Sequence, residues 1–487
     1  MKATFGDKGR FFYDKALTGE EFGGNVLFFY KRVEKMDGVI SALSNFVWGL
    51  PVLALLLGTG LYLSILLRGL QFRKLFYGLK QAFSKHPDDG AEGDISHFQA
   101  LMTALAATVG TGNIVGVATA VVLGGAGALV WMWLSALVGM VTKYGEAILA
   151  VKYRITDENG KMAGGPMYYL ENGLHCRFLG ILFAIFAVFA SFGIGSGVQT
   201  NSIAAALKDA FGVPAFATAL SVGILTALVI LGGIRSIGRV VSFFVPFMMV
   251  FYVSFCLYAV LTHLSEVPAA FRMIFESAFS AQAFAGGTVG AAIRYGVARG
   301  VFSNEAGLGS APIAAAAAKS DYPGRQALVS MTQVFLDTIV ICTMTGLVLI
   351  LGGKTDGSLN GAELTAYSFR ALLGGAGKYV VALSLLFFAF STVLGWSYYG
   401  ERCIYYLFGK KAILPYKCVF IAMAMAGAVA TNLETVWNIS DIFNGLMAIP
   451  NLIGILGLSG VIVSETKLFQ SVMDEEKEKR QKNKESA

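Results

Sequence analysis

The sequence predicts an all-α polytopic membrane protein with eleven spans: one extra N-terminal helix and two inverted repeats of five helices. Of its 487 residues, 55% are hydrophobic and only 14% are charged, whereas about 25% are charged in a soluble domain. Eleven mainly apolar segments have about the 20 residues that cross a hydrocarbon core. Glycine-rich breaks interrupt two of these segments, at Gly110-Thr111-Gly112-Asn113 and at Gly307-Leu308-Gly309-Ser310.

The order of the spans predicts the repeats. The spans lie near residues 45–67, 98–125, 128–150, 178–206, 215–231, 240–262, 286–319, 328–351, 376–399, 413–430 and 442–463. Without the first span, ten remain in two sets of five, and each set begins with a broken helix. An odd number of spans per repeat inserts the second copy upside down. The predicted domains are an N-terminal extension at 1–38, the extra helix at 39–67, repeats at 98–262 and 286–463, and a charged cytoplasmic tail at 464–487.

Basic residues predict a multi-pass protein of the cell membrane with its N-terminus outside and its C-terminus in the cytoplasm. The odd-numbered connections, such as residues 68–85, hold more Lys and Arg than the even-numbered ones, as the positive-inside rule requires. This distribution explains the net charge of +7 without nucleic-acid binding. Residues 268–284 and 358–372 are predicted to form amphipathic helices on the outer surface. Because residues 1–35 are too basic for an outside terminus, we expect translation to begin at Met36.

Each break implies a bound ligand. An unpaired backbone group in lipid costs several kcal/mol, so an unwound segment needs a partner. At Gly110–Asn113, the half-helix that restarts directs its N–H groups and positive dipole end at the gap, which suits a carboxylate. The carbonyls that end the preceding half-helix suit Na⁺ or an ammonium group. Close helix packing is the alternative reason for such glycines, but one break in each repeat favours binding.

Four further stretches identify a family. They are Gly124–Leu134 (GGAGALVWMWL), Gly164–Tyr169 (GGPMYY), Arg299–Gly307 (RGVFSNEAG) and Gly395–Glu401 (GWSYYGE). In this order they resemble the motifs of the sodium:alanine symporter family, and the resemblance runs from about Met36 to Thr466. It implies a LeuT-type fold and sodium-coupled import of alanine or glycine by alternating access.

The resemblance also implies the site residues. Substrate would be held by Thr111, Gly112, Asn113, Gln199, Phe302, Gly307 and Trp396, with the N–H groups of Thr111 and Gly112 on its carboxylate. Na⁺, the coupling ion, would be held by Ala106 and Val109 carbonyls and by Ser391 and Thr392 hydroxyls. The alternative role of these hydroxyls is structural, because Ser and Thr in membrane helices often bond the carbonyl four residues earlier in their own helix. Residues 240–261 contain no Lys, Arg, Asp or Glu, which favours Na⁺ over H⁺, and no other cofactor is expected.

Charged residues inside spans are functional candidates. Glu305 lies in the second break and Asp337 midway along its span, so both are predicted to act in gating or in a structural network. Glu146, Arg299 and Glu401 lie nearer span ends, which favours snorkelling to the membrane surface or an ion pair on the cytoplasmic side.

Other functions are weaker predictions. A proton-coupled carrier, or a carrier of a larger neutral amino acid such as glutamine, fits the same features. An ion channel would need rings of like residues from symmetric subunits, whereas this chain has one asymmetric pair of breaks. A membrane enzyme is not predicted, because the sequence contains neither H-E-x-x-H nor G-x-S-x-G.

Overall fold

The computed structural model describes residues 38, 40, 42–44, 46–84, 91–279, 288–431 and 434–485. These ranges consist mainly of helices, with one pair of two-residue antiparallel strands. The expected start at Met36 lies outside the described residues.

Eleven helices of the first half follow the helical residues 42–44 and 46–47. They are α1 (Leu50–Leu66), α2 (Leu70–Phe83), α3 (His97–Thr108), α4 (Val117–Gly124), α5 (Ala128–Lys152), α6 (Pro166–Tyr168), α7 (Arg177–Phe192), α8 (Val198–Phe211), α9 (Ala215–Ile230), α10 (Gly233–Thr262) and α11 (Val267–Phe279). Strands β1 (Ile155–Thr156) and β2 (Met162–Ala163) pair between α5 and α6. Short π-helices occupy Gly112–Gly116, Tyr169–Gly173 and Gly193–Gly197.

The second half continues in the same way. Its helices are α12 (Thr288–Asn304), α13 (Pro312–Ala316), α14 (Pro323–Val334), α15 (Thr343–Leu351), α16 (Gly361–Leu373), α17 (Ala376–Phe408), α18 (Ile413–Val429), α19 (Glu434–Leu446), α20 (Ala448–Gly457) and α21 (Ser459–Glu485). A π-helix at Phe335–Cys342 joins α14 to α15, and a 3₁₀ turn at Lys410–Ala412 precedes α18.

Helical segments lie at each of the eleven predicted spans. Among the described residues, seven helices are long and apolar enough to cross a membrane, or nine if each of two bent pairs is one span. α9 is a shorter apolar helix, and α12 ends at the second break. The helices predicted at 268–284 and 358–372 are confirmed as α11 and α16, except that residues 280–284 lie outside the described residues.

Both predicted breaks are confirmed. α3 ends at Thr108, and the helix that resumes at Gly112 is bent from it by 53°. α12 ends at Asn304 and α13 begins only at Pro312. Between them Glu305 and Gly307 have φ angles of 55° and 88°. This left-handed conformation is easy for glycine, but it costs a residue with a side chain about 1–2 kcal/mol.

Helix packing brings the two breaks together. α17 is the central helix and packs against α3, α7, α8, α10 and α16. α5 packs against α12 and α14, and α12 also packs against α4, the second half of the first broken helix. The broken helices are therefore neighbours, with α5 and α17 supporting them.

Two segments differ from the prediction. Residues 70–83, expected as a basic connection, form α2, which turns 86° from α1 and packs against α14. The tail, expected as a solvated extension, is the helix α21, because an apolar stripe runs through its charged sequence. Phe469 and Met473 on this stripe are buried, and Glu476 pairs with Arg325 at 2.6 Å.

Candidate functional site

The first break is held by two of the predicted site residues. The Oδ1 atom of Asn113 accepts a hydrogen bond from the N–H of Gly110 at 2.9 Å. The Oε1 atom of Gln199 lies 3.4 Å from the N–H of Thr111, while its Nε2 donates to the carbonyl of Ile194 at 2.9 Å. The backbone donors of the break are thus directed towards oxygen acceptors.

A cavity of about 230 Å³ lies beside this break. Its volume is below the 300–1,000 Å³ of pockets for drug-sized ligands, so it suits a small molecule. The hydroxyl of Thr111 is buried and has no hydrogen-bond partner. The lining includes Thr111, Gly112, Val115, Arg299, Phe302 and Trp437.

Two contacts shape this cavity. A side chain on Gly112 would begin 3.3 Å from the ring of Phe302, so a glycine permits the close approach of the two broken helices. Arg299 places its guanidinium 5.5 Å from the centre of the same ring. This half-buried side chain lines the cavity, and snorkelling or an ion pair stays the prediction for Arg299.

A second cavity of about 500 Å³ shares Val115 and Trp437 with the first. It is lined by charged side chains from three helices. They are Asp209 near the end of α8, Glu363 near the start of α16 and Lys378 near the start of α17. These helix ends belong to the side that the sequence predicts to face outside.

The predicted sodium ligands lie directly beneath the first break. The hydroxyls of Ser391 and Thr392 each lie 3.5 Å from the carbonyl oxygen of Val109. Both hydroxyls also donate to the carbonyl of Phe388 in their own helix, at 2.8 and 3.1 Å. Ala106 is buried one turn before Val109. This group of neutral oxygens matches the donors that hard cations prefer, and the hydroxyls can rotate to present lone pairs.

The second break is satisfied from within the protein. Glu146 is fully buried, and its Oε1 accepts hydrogen bonds from the N–H groups of Gly307 and Gly309, both at 3.1 Å. Asn451 donates to the same oxygen at 2.7 Å and receives a bond from the hydroxyl of Tyr169. Of the two predictions for Glu146, snorkelling is wrong, since its buried carboxylate faces the N–H groups of this break, whereas an ion pair is present, with Lys143.

Gly307 therefore lies away from the cavity beside Thr111. A side chain at this position would meet Leu56 and Leu452 instead. Lys143 completes the surroundings of the break, with its Nζ 3.4 Å from Oε2 of Glu146 and 2.7 Å from the carbonyl of Glu305. Lys143 was not among the predicted site residues, although a lysine inside a predicted span is the same signal that singled out Glu146.

Glu305 connects the second break to Trp396. Its carboxylate accepts the indole N–H of Trp396 at 3.0 Å and the hydroxyl of Ser310. The Trp396 side chain is buried and packs on the backbone at Gly195, where any side chain would overlap it. Gly195, in the π-helix Gly193–Gly197, thus permits the close approach of this helix to Trp396, a contact that the sequence did not predict.

Asp337 joins the two broken helices. Asn113, from the first, donates to its Oδ1 at 2.8 Å. Ser303, from the second, donates to its Oδ2 at 2.8 Å, and so does the neighbouring Thr338. Asp337 is fully buried, so these donors replace the hydration that its carboxylate has lost.

A buried ionic cluster lies at the opposite end of the molecule from the cavities. Arg402 pairs with Asp157 at 3.0 Å and with Glu401 at 3.0 Å, and Glu401 also pairs with Lys417 at 2.9 Å. The ion-pair prediction for Glu401 is confirmed. Burial acts to raise the pKa of Asp157, but hydrogen bonds from the N–H of Lys161 and Asn159 and from Arg402 outweigh it and lower this pKa.

Comparisons with known proteins agree with these features. The profile of the Sodium:alanine symporter family matches residues 33–484. The sodium/alanine symporter AgcS of Methanococcus maripaludis is 58% identical over 448 residues, 90% of this chain and 98% of AgcS. The probable sodium/glutamine symporter GlnT of Bacillus subtilis is 36% identical over 436 residues, 89% of this chain and 90% of GlnT.

One further relative and one solved structure are informative. The putative sodium/proton-dependent alanine carrier protein YrbD of Bacillus subtilis is 37% identical over 464 residues, 92% of this chain and 94% of YrbD. The crystal structure of MhsT in complex with L-phenylalanine superposes with a TM-score of 0.54 at 14% identity, covering 78% of this chain and 99% of that one. This likeness indicates a LeuT-like fold. With the profile match and the identity to AgcS, it follows that the chain belongs to the sodium:alanine symporter family.

Proposed function

We propose that this protein is a symporter that imports a small neutral amino acid, alanine or glycine, together with Na⁺ by alternating access. The observation that carries the proposal is the first break, where backbone donors border a small cavity directly above a cluster of neutral oxygens. Membership of the family supports it, as does the name of the relative AgcS, a sodium/alanine symporter.

The substrate carboxylate binds the N–H groups of Thr111 and Gly112. Its competitor at Thr111 is the Oε1 atom of Gln199, and that bond is long, at 3.4 Å. A carboxylate that takes this N–H releases the amide oxygen of Gln199, which can then accept a hydrogen bond from the substrate ammonium. The ring of Phe302 lies beside Gly112 and limits the side chain to a small one.

Na⁺ binds between the carbonyl of Val109 and the hydroxyls of Ser391 and Thr392, with Ala106 contributing its carbonyl. Val109 is the last residue before the break, and the substrate binds the residues immediately after Gly110. Ion and substrate therefore order the same short segment, so each favours binding of the other by the same factor.

The architecture that we propose has eleven spans in two inverted five-helix repeats, with the N-terminus outside and the C-terminus in the cytoplasm. In this orientation both cavities face outside. The cytoplasmic end is held by Arg154, whose Nη1 donates to the carbonyls of Ala316 and Ala318, and by the Asp157–Arg402 pair. This conformation receives substrate from outside.

A second candidate is a proton-coupled carrier. The buried carboxylates of Glu305 and Asp337 favour it, because both lie in the network around the breaks. The name of the relative YrbD includes proton dependence, and the name of GlnT leaves glutamine open as a substrate.

Uptake into proteoliposomes distinguishes these candidates. Labelled alanine, glycine and glutamine are offered with an imposed Na⁺ gradient, and then with a proton gradient alone. We expect alanine and glycine to accumulate only with the Na⁺ gradient. Uptake that is independent of Na⁺ and is driven by the proton gradient would establish the proton-coupled carrier. The Ser391→Ala/Thr392→Ala variant is the control for uptake that does not pass through the proposed ion site.

A further inference from the structure

We propose that helix α2 is a docking surface for anionic phospholipids, lying in the plane of the membrane surface. Three exposed phenylalanines enter the acyl chains, and three exposed basic residues hold lipid phosphates. This inference concerns the bilayer and does not depend on the transported substrate.

The direction of α2 follows from its corner with α1. α1 is an apolar helix, and α2 leaves it at 86° after only three residues. Arg68 and Gly69 make the corner with left-handed φ angles of 54° and 65°. A helix perpendicular to a membrane-spanning helix runs parallel to the surface, where an amphipathic helix buries its apolar face at the level between headgroups and acyl chains.

The rotation of α2 about its own axis is set by packing. Gln71, Gly78 and Gln81 lie on its buried face. The backbone at Gly78 approaches the carbonyl of Leu328 in α14 so closely that a side chain would overlap it. The opposite face therefore points away from the protein.

That opposite face is an aromatic stripe. Phe72, Phe76 and Phe83 are 62%, 79% and 65% exposed. At about 100° per residue their directions fall within about 40° of one another. Exposed apolar side chains that are aligned in this way indicate an interaction surface, whereas exposed apolar residues scattered singly do not.

The basic residues beside the stripe indicate that the bound lipid is anionic. Arg73 and Lys80 are exposed beside the stripe, Arg68 is exposed at the corner, and residues 68–83 contain no Asp or Glu. Arg73 is anchored at the corner by donating to the carbonyl of Leu67 at 3.3 Å. Phenylalanines that enter acyl chains beside exposed basic residues are complementary to an anionic leaflet.

The first test locates the stripe. A nitroxide label is attached at Phe76→Cys in a Cys176→Ser/Cys418→Ser background, and the full chain is placed in vesicles of phosphatidylcholine with phosphatidylglycerol. We expect the label to be more accessible to oxygen, which partitions into lipid, than to a water-soluble nickel chelate. The reverse accessibility would overturn the proposal and indicate a soluble partner.

The second test measures lipid selectivity. Native mass spectrometry of protein equilibrated with mixed lipids compares the wild type with Arg73→Gln/Lys80→Gln. Loss of two charges should weaken the preference for phosphatidylglycerol over phosphatidylcholine by roughly 30-fold. Lys208→Gln/Arg272→Gln, two exposed basic residues on other helices, is the matched control and should keep the preference. An unchanged preference in the α2 variant would overturn the role of its charges, even with a lipid-exposed label.

Discussion

The side chain of Asn113 donates from Nδ2 to Oδ1 of Asp337 at 2.8 Å, a contact between residues 224 positions apart. Ser303 donates to the other oxygen of the same carboxylate. The first broken helix, the second broken helix and the π-helix after α14 therefore meet at one buried group. A displacement of either break changes the hydrogen bonds of the other.

Asn113→Ala should abolish alanine uptake. The substitution leaves the N–H of Gly110 and Oδ1 of Asp337 without these partners, and each unsatisfied buried group costs about 1–3 kcal/mol. Uptake and thermal unfolding in detergent measure the two effects. Asn159→Ala, in the exposed turn between β1 and β2, should behave as wild type. Normal alanine affinity with normal Na⁺ dependence in Asn113→Ala would refute the assigned role of the first break.

Ser391→Ala and Thr392→Ala should each raise the Na⁺ concentration for half-maximal uptake by about tenfold, which corresponds to about 1.4 kcal/mol of ion binding. The control is Ser384→Ala in the same helix, because its buried hydroxyl donates to the carbonyl of Val380 at 2.7 Å and lies outside the proposed site. If all three variants shift the Na⁺ dependence equally, the hydroxyls of Ser391 and Thr392 only form hydrogen bonds within their own helix and do not bind Na⁺.

Trp396→Phe should destabilise the protein by about 1.5–3 kcal/mol, the range for a hydrogen bond to a charged group, and should reduce uptake. Glu305→Gln should cost less, because an amide oxygen still accepts the indole N–H. Trp131→Phe is the matched control, since the indole nitrogen of Trp131 is buried without a hydrogen-bond partner. Equal destabilisation by Trp131→Phe and Trp396→Phe would mean that the lost ring volume, and not the lost hydrogen bond to Glu305, causes the loss of stability.

A double-mutant cycle on Lys143→Met and Glu146→Gln should show strong coupling. Each single substitution leaves a buried charge uncompensated and should cost about 3–5 kcal/mol, whereas the double variant should cost less than the two added together. The comparison cycle is Lys152→Met with Glu465→Gln, because Lys152 is half exposed and such pairs couple by about 1 kcal/mol or less. Additive losses at Lys143 and Glu146 would contradict the pairing.

Acidification should release the Asp157–Arg402 pair. The pKa of Asp157 is lowered in the folded protein, so its contribution to stability is complete above the ordinary aspartate pKa of about 3.9 and falls as the pH drops below that value. Asp157→Asn should lose about 3 kcal/mol at neutral pH, and less on acidification. Parallel stability curves for the two proteins from pH 7 to pH 3 would exclude this role.

The fold was largely predictable because apolar length and glycine breaks are local signals. Helices lie at all predicted spans, and both breaks interrupt helices as expected. α2 and α21 were not predicted, because their sequences are charged and both are held by contacts with α14, which α2 makes through Gly78 and α21 through Phe469. Hydropathy along the chain carries no information about these contacts with α14.

The candidate site was predictable in part. Thr111, Gly112 and Phe302 meet at the cavity, and Val109, Ser391 and Thr392 meet beneath it, as the resemblance implied. The partners of Glu305 and Asp337 were not predictable, since Trp396 and Asn113 reach them from distant spans. The position of Glu146 in its span suggested a membrane surface, whereas tertiary packing places it against the second break.

The wall formed by Val115 and Trp437 belongs to both cavities, which has a consequence for inhibition. A molecule with an amino-acid headgroup in the small cavity and a bulky apolar arm in the large one would occupy both at once. Their volumes, about 230 and 500 Å³, lie within reach of one drug-sized compound. Such a compound would fill the space between α8, α16 and α17 and would act as a non-transported blocker.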